Sequence, residues 1–186
     1  MDRVLLINSL TFLSICLIVF WKLSDPREFG EKVKSYFSAK GILIGIYTFI
    51  FLSLNYLSGR FFPLRYSPLD GTVTSLGVLT FICGFGLSIW AKVVMGKSWG
   101  IPAEHNKQRQ DKLIKTGPFR YSRNPIYVGL IMMQIGYGIA VQSYFTFLAF
   151  IPIFYFWESS KKEEKLLEGH FRKDYLKYKK DVPRFF

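Results

Sequence analysis

The sequence predicts an all-α, polytopic membrane protein with about five transmembrane helices, the last two of which form a helical hairpin. Half of its 186 residues are hydrophobic and 18% are aromatic, and a mean hydropathy of +0.20 is unusual for a soluble globular domain. The apolar residues are concentrated in five runs, at 4–23, 41–57, 73–95, 126–141 and 144–157. We therefore expect one integral-membrane domain over 1–186, with three spans in 1–95 and a loop, hairpin and C-terminal amphipathic helix in 96–186.

The length of each run decides whether it can cross a bilayer. At about 1.5 Å per helical residue, a hydrocarbon core of about 30 Å needs about 20 residues. The runs 4–23 and 73–95 reach this length, and the run 41–57 is near the lower limit. The runs 126–141 and 144–157 are shorter and are separated only by Gln142 and Ser143, which predicts a tight hairpin with both ends on one side. Full and partial crossing by this hairpin both stay open.

The first run has a competing interpretation as a cleaved signal peptide, because Arg3 precedes an apolar stretch. However, the run is longer than a usual signal core, and no small-residue cleavage site lies near its end. We therefore expect the first run to be retained as a membrane helix.

The distribution of basic residues predicts the orientation in the membrane. With five spans, 21 Lys and Arg residues fall in the first loop, the long loop and the tail, whereas only Arg3, Arg60 and Arg65 fall on the opposite side. The positive-inside rule then predicts an external N-terminus and a cytosolic long loop and C-terminus. The expected location is the cell membrane, or the endoplasmic reticulum in a eukaryote.

Two other uses of the charged and metal-ligating residues are poorly supported. The formal charge of +12 flanks the apolar runs, so anionic lipid headgroups explain it more simply than nucleic acid does. His105 and His170 have no ligand-like spacing, and Cys16 and Cys83 both fall within predicted spans. We therefore expect neither a nucleic-acid partner nor a metal site.

Two connections carry recognisable patterns. Phe29, Val33 and Phe37 recur at helical spacing among charged residues, which predicts a short surface helix, with core packing as the alternative. The loop 96–124 is the only long polar insert before the tail, and loops of that length in compact domains are usually functional.

The long loop ends in Arg123-Asn124-Pro125. Proline is preorganised for the first helical turn and disfavours helical backbone before it, so Asn124 is the predicted N-cap and Pro125 the first helical residue. The free N–H groups and positive dipole of such a helix start, with Arg123 beside them, suit an anion. The alternative is a well-capped start of a membrane helix that binds nothing.

The tail contains the remaining polar candidates. Over residues 163–180, Leu167, Phe171, Tyr175 and Tyr178 recur at helical spacing, which predicts an amphipathic helix lying along the membrane surface. Because both ends of the hairpin lie on one side, we expect Tyr127 and Glu163 to converge. Carboxylates beside a membrane-buried segment are usually paired or functional. The alternative for the two glutamates 163 and 164 is an exposed helical turn paired with neighbouring lysines.

Two linked motifs resemble the isoprenylcysteine carboxyl methyltransferase and phospholipid methyltransferase superfamily. The first consists of Leu113, Ile114, Gly117, Tyr121, Arg123, Asn124, Pro125, Tyr127 and Gly129. The second consists of Glu163, Glu164, Leu167, Phe171, Tyr175, Tyr178, Val182 and Pro183. Together they cover roughly two-fifths of the chain, from 111 to 183, and the pair is much more specific than either motif alone.

The resemblance implies an integral-membrane enzyme that takes S-adenosylmethionine from the cytosol and holds it between the loop, the hairpin and the tail. The cofactor-binding residues it implies are Asp111, Leu113, Ile114, Gly117, Tyr121, Arg123, Asn124, Pro125, Tyr127, Glu163 and Glu164. Of these, Asn124, Tyr127 and Glu163 are the predicted catalytic residues. The cofactor's carboxylate suits Arg123 and the helix start, and its sulfonium suits the faces of Tyr121 or Tyr127.

Three positions depart from the family pattern. The family commonly has His where Asn124 and Asp111 stand. In addition, its carboxyl methyltransferases carry an Arg four residues before the first tail glutamate, where this chain has Ser159. Because an arginine fork is the natural clamp for a carboxylate, a neutral or differently held lipid-like acceptor is equally compatible with this sequence.

The leading hypothesis is therefore methyl transfer from S-adenosylmethionine to an apolar, lipid-like or prenylated acceptor at the cytosolic membrane face. One alternative is a membrane sterol-type reductase that uses NADPH, because such reductases share a related C-terminal signature. The other is a non-catalytic membrane scaffold. The expected partners are the membrane and a lipid-like or lipid-tethered substrate, and the sequence leaves the oligomeric state open.

Overall fold

The computed structural model describes residues 3–25, 29–64, 70–96 and 112–185, and every regular element in these ranges is helical. The helices are α1 Arg3–Leu23, α2 Phe29–Tyr36, α3 Ala39–Phe61, α4 Asp70–Met95, α5 Pro125–Ala140 and α6 Ile151–Asp181, with 3-10 turns at Gly117–Arg120 and Tyr144–Phe150. By length and composition α1, α3 and α4 can span a membrane, and α5 is apolar but shorter. The predicted all-α polytopic membrane class is confirmed.

Local signals set the ends of α2 and α3. The predicted short helix forms α2, and its first residue Phe29 is 81% exposed. Ser38 has extended backbone, and its Oγ accepts a 3.1 Å hydrogen bond from the Gly41 N–H, which makes it the N-cap of α3. The last turn of α3 contains buried Gly59, where an added Cβ would lie 2.8 Å from the Val141 carbonyl oxygen. α3 therefore extends beyond the apolar run 41–57 at both ends.

The second arm of the predicted hairpin differs from the expectation. The run 144–157 begins as a 3-10 turn, and α6 starts at Ile151 with Pro152 in its first turn, where the missing N–H needs no partner. α6 continues from the arm past Glu163, so a separate tail helix does not begin at residue 163; two helical segments instead meet at a kink within 163–180. The backbone leaves the helical region at Arg172, with φ 45° and ψ −117°.

The contacts within the chain form two compact units. The first comprises Met1–Phe81 and Gln134–Ala149. Its core includes Ile7 and Phe51, and the Tyr137 hydroxyl lies 2.8 Å from Thr11 Oγ1. The second comprises Ile82–Met133 and Phe150–Phe186. All the predicted site residues belong to the second unit.

Small residues allow close helix packing within the second unit. A Cβ added to Gly129 of α5 would lie 2.3 Å from Ser88 Oγ and 2.8 Å from the Gly84 carbonyl oxygen of α4. Only a residue without a side chain fits at such a distance, as is usual where membrane helices approach closely. This packing fixes the first turns of α5, which carry Tyr127, against α4.

Candidate functional site

The most direct contact between the two sequence motifs joins α5 to α6. The Tyr127 hydroxyl donates a 2.5 Å hydrogen bond to Glu163 Oε1, and Tyr127 is 3% exposed. Its ring stacks on Phe156, with 4.5 Å between ring centroids and 11° between planes. Phe156 and Glu163 are two helical turns apart on α6 and therefore share a face. The predicted convergence of Tyr127 and Glu163 is thus observed, while their chemical roles stay predictions.

Glu164 lies in a different environment from Glu163. Its side chain is 4% exposed and lies 3.1 Å from Arg123 Nη1, 3.8 Å from Lys179 Nζ, and 2.6 and 2.9 Å from Arg184 Nε and Nη2. Burial alone would raise the pKa of Glu164, but the hydrogen bonds from Arg184 and the charge of Arg123 outweigh it. The pKa of Glu164 therefore lies below its ordinary value, and the carboxylate is charged at neutral pH.

The start of α5 is held by backbone and side-chain hydrogen bonds. α5 begins at Pro125, as predicted, and the Asn124 carbonyl accepts from the Val128 N–H at 3.3 Å. The Asn124 side chain donates through Nδ2 to the Arg184 carbonyl oxygen at 3.1 Å, so its amide binds the C-terminal segment. The Arg123 N–H donates to the Pro183 carbonyl at 3.0 Å. The C-terminal segment therefore lies directly on the predicted cofactor motif.

The loop before α5 carries the other predicted cofactor residues. Gly117 has φ +59°, and a Cβ there would lie 2.8 Å from Val94 Cγ2, so both conformation and space require glycine. Tyr121 is 62% exposed, whereas Leu113 and Ile114 are half-buried. Asp111 lies outside the described residues.

The apolar positions of the tail form a core under this loop. Tyr175, Tyr178 and Val182 are buried together, and Leu113, Leu167 and Phe171 pack against them. The Tyr178 hydroxyl donates a 2.6 Å hydrogen bond to the Phe119 carbonyl. Burial, followed by the charge of Glu164, raises the pKa of Tyr175 to about 12. The loop and tail motifs are therefore one packed structure.

Comparison with known proteins connects this arrangement to a family. A sequence model of the phospholipid methyltransferase family matches residues 72–174, which is more than half of the chain. This chain belongs to the phospholipid methyltransferase family. The matched segment contains α4 from Thr72, the long loop, α5 and α6 up to Asp174, and hence every predicted site residue. The resemblance based on the two motifs is confirmed.

A characterised protein is similar over a longer stretch. The protein-S-isoprenylcysteine O-methyltransferase of Saccharomyces cerevisiae is 29% identical to the chain over 154 residues. The alignment covers 80% of this phospholipid methyltransferase family member and 62% of the yeast protein. The chain therefore spans less than two-thirds of the length of that relative.

Two residues of this phospholipid methyltransferase family member contact the predicted site residues without having been predicted from the sequence. Phe156 stacks on Tyr127. It lies seven residues before Glu163, and this spacing of two helical turns could have predicted that the two residues share a face. Arg184 binds Glu164 from 20 residues away, and no local spacing predicts that contact.

One further pattern lies at the start of the long loop. Residues 96–100 read Gly-Lys-Ser-Trp-Gly, the spacing of a serine-hydrolase nucleophile elbow. That elbow requires a preceding strand, whereas α4 precedes this stretch, and 97–100 lie outside the described residues.

Within the residues that the structure describes, no group of three or more His, Cys, Asp and Glu side chains could hold a metal ion.

Proposed function

We propose that this protein is an integral-membrane methyltransferase that uses S-adenosylmethionine and methylates an apolar, lipid-like or prenylated acceptor at the cytosolic membrane face. The observation that carries the proposal is the Tyr127–Glu163 hydrogen bond of 2.5 Å. It joins the two motifs of a methyltransferase family at one point in the second unit.

The donor groups at the start of α5 fit the proposed cofactor. Arg123 Nε and Nη1 are buried and have no hydrogen-bond acceptor among the described residues. Nη1 lies 3.1 Å from Glu164 Oε2, so it has a counter-charge but not a well-directed hydrogen bond. Buried donors without an acceptor are destabilising, and a carboxylate beside the helix start would satisfy them. The amino-acid carboxylate of S-adenosylmethionine has this chemistry.

Tyr127 and Glu163 fit the cationic part of the same cofactor. When bound, S-adenosylmethionine supplies an electrophilic methyl group on a positively charged sulfur. Aromatic faces attract cations, and Phe156 stacks on the Tyr127 ring to form an aromatic pair beside Glu163. Glu163 adds a negative charge at the edge of this aromatic pair. The contacts with Glu163 and Phe156 also fix the orientation of Tyr127, and alignment is what a displacement reaction needs most.

The exposed surface of α6 supports an acceptor that enters from the bilayer. The exposed side chains from Phe150 to Trp157 are apolar or aromatic, and Phe154 is 75% exposed. Charged residues follow at once, with the Glu158 side chain 61% exposed. Trp and Tyr favour the boundary between hydrocarbon and water. Glu163 follows Trp157 by about 9 Å along the helix axis, at about 1.5 Å per residue, so we propose that it lies on the polar side of this aromatic boundary.

Position 159 supports a broad acceptor class. Ser159 is 6% exposed and forms a hydrogen bond with the Tyr155 side chain. A hydroxyl pair at this position cannot provide the bidentate clamp that an arginine gives to a carboxylate. We therefore propose an acceptor that has an apolar tail and a reactive group near the lipid headgroups. That reactive group need not be a prenylcysteine carboxylate.

Cofactor binding to the purified protein in detergent tests the proposal. We expect S-adenosylmethionine and S-adenosylhomocysteine to bind, and Tyr127→Phe to weaken binding by about tenfold, because a hydrogen bond to a charged group contributes about 1.5–3 kcal/mol. Tyr144→Phe is the matched control, since Tyr144 is 56% exposed and belongs to the first unit.

Failure of the folded wild-type protein to bind either compound at millimolar concentration would contradict the proposed function. Saturable binding of NADPH instead of S-adenosylmethionine would favour the reductase alternative. Equal binding by Tyr127→Phe and the wild type would remove Tyr127 from the cofactor site.

A further inference from the structure

Residues 182–185 follow α6 along a path that the sequence motifs do not specify. α6 ends at Asp181, and Val182 has extended backbone with φ −127° and ψ 128°. Val182 is 8% exposed, so the chain continues against the protein instead of leaving it. We call residues 182–185 the C-terminal strap.

The strap contacts each of the three residues before Pro125. The Pro183 carbonyl accepts from the Arg123 N–H at 3.0 Å. The Arg184 carbonyl accepts from Ser122 Oγ at 3.2 Å and from Asn124 Nδ2 at 3.1 Å. The start of α5 is therefore hydrogen-bonded to two consecutive strap carbonyls, over about 60 residues of sequence separation.

The side chain of Arg184 anchors the strap to α6. Its Nε and Nη2 atoms donate to the two oxygens of Glu164 at 2.6 and 2.9 Å, which is the bidentate geometry that makes arginine–carboxylate pairs strong. The guanidinium also lies 4.9 Å from the centroid of the Trp157 ring. Phe185 stacks on the same ring, with 5.8 Å between centroids. Glu164 and Trp157 thus hold the last two residues of the strap, Arg184 and Phe185.

We propose that Arg184 is a positioning residue: by anchoring the strap to Glu164 and Trp157, it holds residues 122–124 in the conformation that receives the methyl donor. Its effect on donor affinity rests on the proposed function, whereas its effect on the start of α5 does not. Glu164 then acts mainly through Arg184 and Arg123. The two adjacent glutamates therefore have different partners: Glu163 binds Tyr127, and Glu164 binds the strap through Arg184.

The test combines a structural readout and a binding readout on the purified protein in detergent. We expect Arg184→Gln to accelerate hydrogen exchange at the Arg123 amide by at least about tenfold, because that N–H is hydrogen-bonded to the strap. We also expect the Kd for S-adenosylhomocysteine to rise by about tenfold, as expected for loss of one charge-assisted contact that orients the site. Arg184→Lys retains the charge without the fork and should give intermediate values of both.

Lys161→Gln is the matched control. Lys161 lies 5.5 Å from the same Trp157 ring centroid, but it pairs with Glu158 at 2.7 Å. Its removal should leave both readouts at wild-type values. A melting temperature for each variant identifies global unfolding, and the Arg184→Lys comparison decides the question if Arg184→Gln does not fold.

The possible outcomes separate the two proposals. Unchanged exchange at Arg123 in the Arg184 variants would overturn the strap itself. Faster exchange with an unchanged Kd would overturn its role in positioning the donor site. If the wild-type protein binds no methyl donor, the proposed function and the positioning role both fall, and the exchange data alone decide whether the strap holds the start of α5.

Discussion

At the scale of single residues, two adjacent glutamates on α6 have different partners. Consecutive helical residues point about 100° apart, so Glu163 reaches the Tyr127 hydroxyl while Glu164 reaches Arg123 and Arg184. Glu164 is the more buried of the two, and its charge is compensated by those two guanidinium groups. Because these contacts favour the charged form of Glu164, the stability of the folded protein should depend on pH.

The stabilising effect of Glu164 should disappear in acid. Its pKa is depressed in the folded protein, so its contribution is fully present above the ordinary carboxyl pKa and is lost as the pH falls through the lower folded value. We expect Glu164→Gln to lower the free energy of unfolding at pH 7 by about 3 kcal/mol, because removing one partner of a buried ion pair leaves charges uncompensated.

Thermal melting in detergent between pH 7 and pH 3 measures this effect. The melting temperatures of the wild type and Glu164→Gln should differ most at neutral pH and converge below pH 4.5, the ordinary carboxyl value. The exposed Glu158, which pairs with Lys161 on the surface, serves as the control in Glu158→Gln. A constant difference between wild type and Glu164→Gln across this range would contradict the assigned charge state.

The sequence allowed some of these residue contacts to be predicted and not others. Tyr127 and Glu163 converge because the two ends of the hairpin lie on one side. The hairpin pattern in the sequence was enough to predict this contact, although not the distance between the two side chains. The pairing of Glu164 with Arg184 could not be predicted, because the strap reaches α6 only after the chain turns at Val182 and Pro183. Helix propensity and residue spacing describe short stretches of sequence, whereas the contact between Glu164 and Arg184 depends on how the C-terminal strap packs against α6.

At the scale of elements, glycine in the motif has a packing role. Gly129 lies where α5 crosses α4, and an added Cβ would lie 2.8 Å from the Gly84 carbonyl oxygen, which belongs to the backbone. A backbone atom cannot move aside as a flexible side chain can. Helix packing therefore explains why this motif has glycine at position 129.

Substituting this glycine tests the packing. We expect Gly129→Ala to destabilise the protein by about 1–3 kcal/mol, the usual effect of overpacking a close contact. Gly86→Ala on α4 is the control, because an added Cβ there meets nothing within 4 Å, and alanine is the better helix former. Thermal melting should rank Gly86→Ala at or above the wild type and Gly129→Ala below it. The reverse order would exclude the close approach of α4 and α5.

The ends of helices were less predictable than their existence. Four of the five apolar runs fall mainly in α-helices, whereas the run 144–157 is divided between the 3-10 turn Tyr144–Phe150 and the start of α6 at Ile151. Pro152 favours a start at that point, since proline lacks the N–H that an interior position would need. Hydropathy alone does not distinguish a 3-10 turn from an α-helix, so the predicted arm and tail were divided at the wrong position.

At the scale of the whole molecule, the orientation in the membrane follows from charge and stays a prediction. The basic loops and tail are expected in the cytosol, where the methyl donor is supplied. In a variant lacking Cys16 and Cys83, we expect a membrane-impermeant maleimide applied to intact cells to label Phe62→Cys. It should label Lys162→Cys only after the membrane is opened.

Both residues are exposed in the structure, so both positions should react after detergent solubilisation, which provides the control for accessibility. Labelling of Lys162→Cys in intact cells without labelling of Phe62→Cys would reverse the orientation. The proposed site would then lie on the side away from the cytosolic donor supply.

The most direct test of the central claim is transfer of a labelled methyl group from S-adenosylmethionine into a host lipid and membrane-protein extract by the purified protein. We predict label in an apolar or lipid-tethered product with the wild-type protein, and at least about tenfold less with Glu163→Gln, the change expected on removing a charged partner of Tyr127. Incorporation by the folded wild-type protein no greater than in the protein-free control would contradict the account.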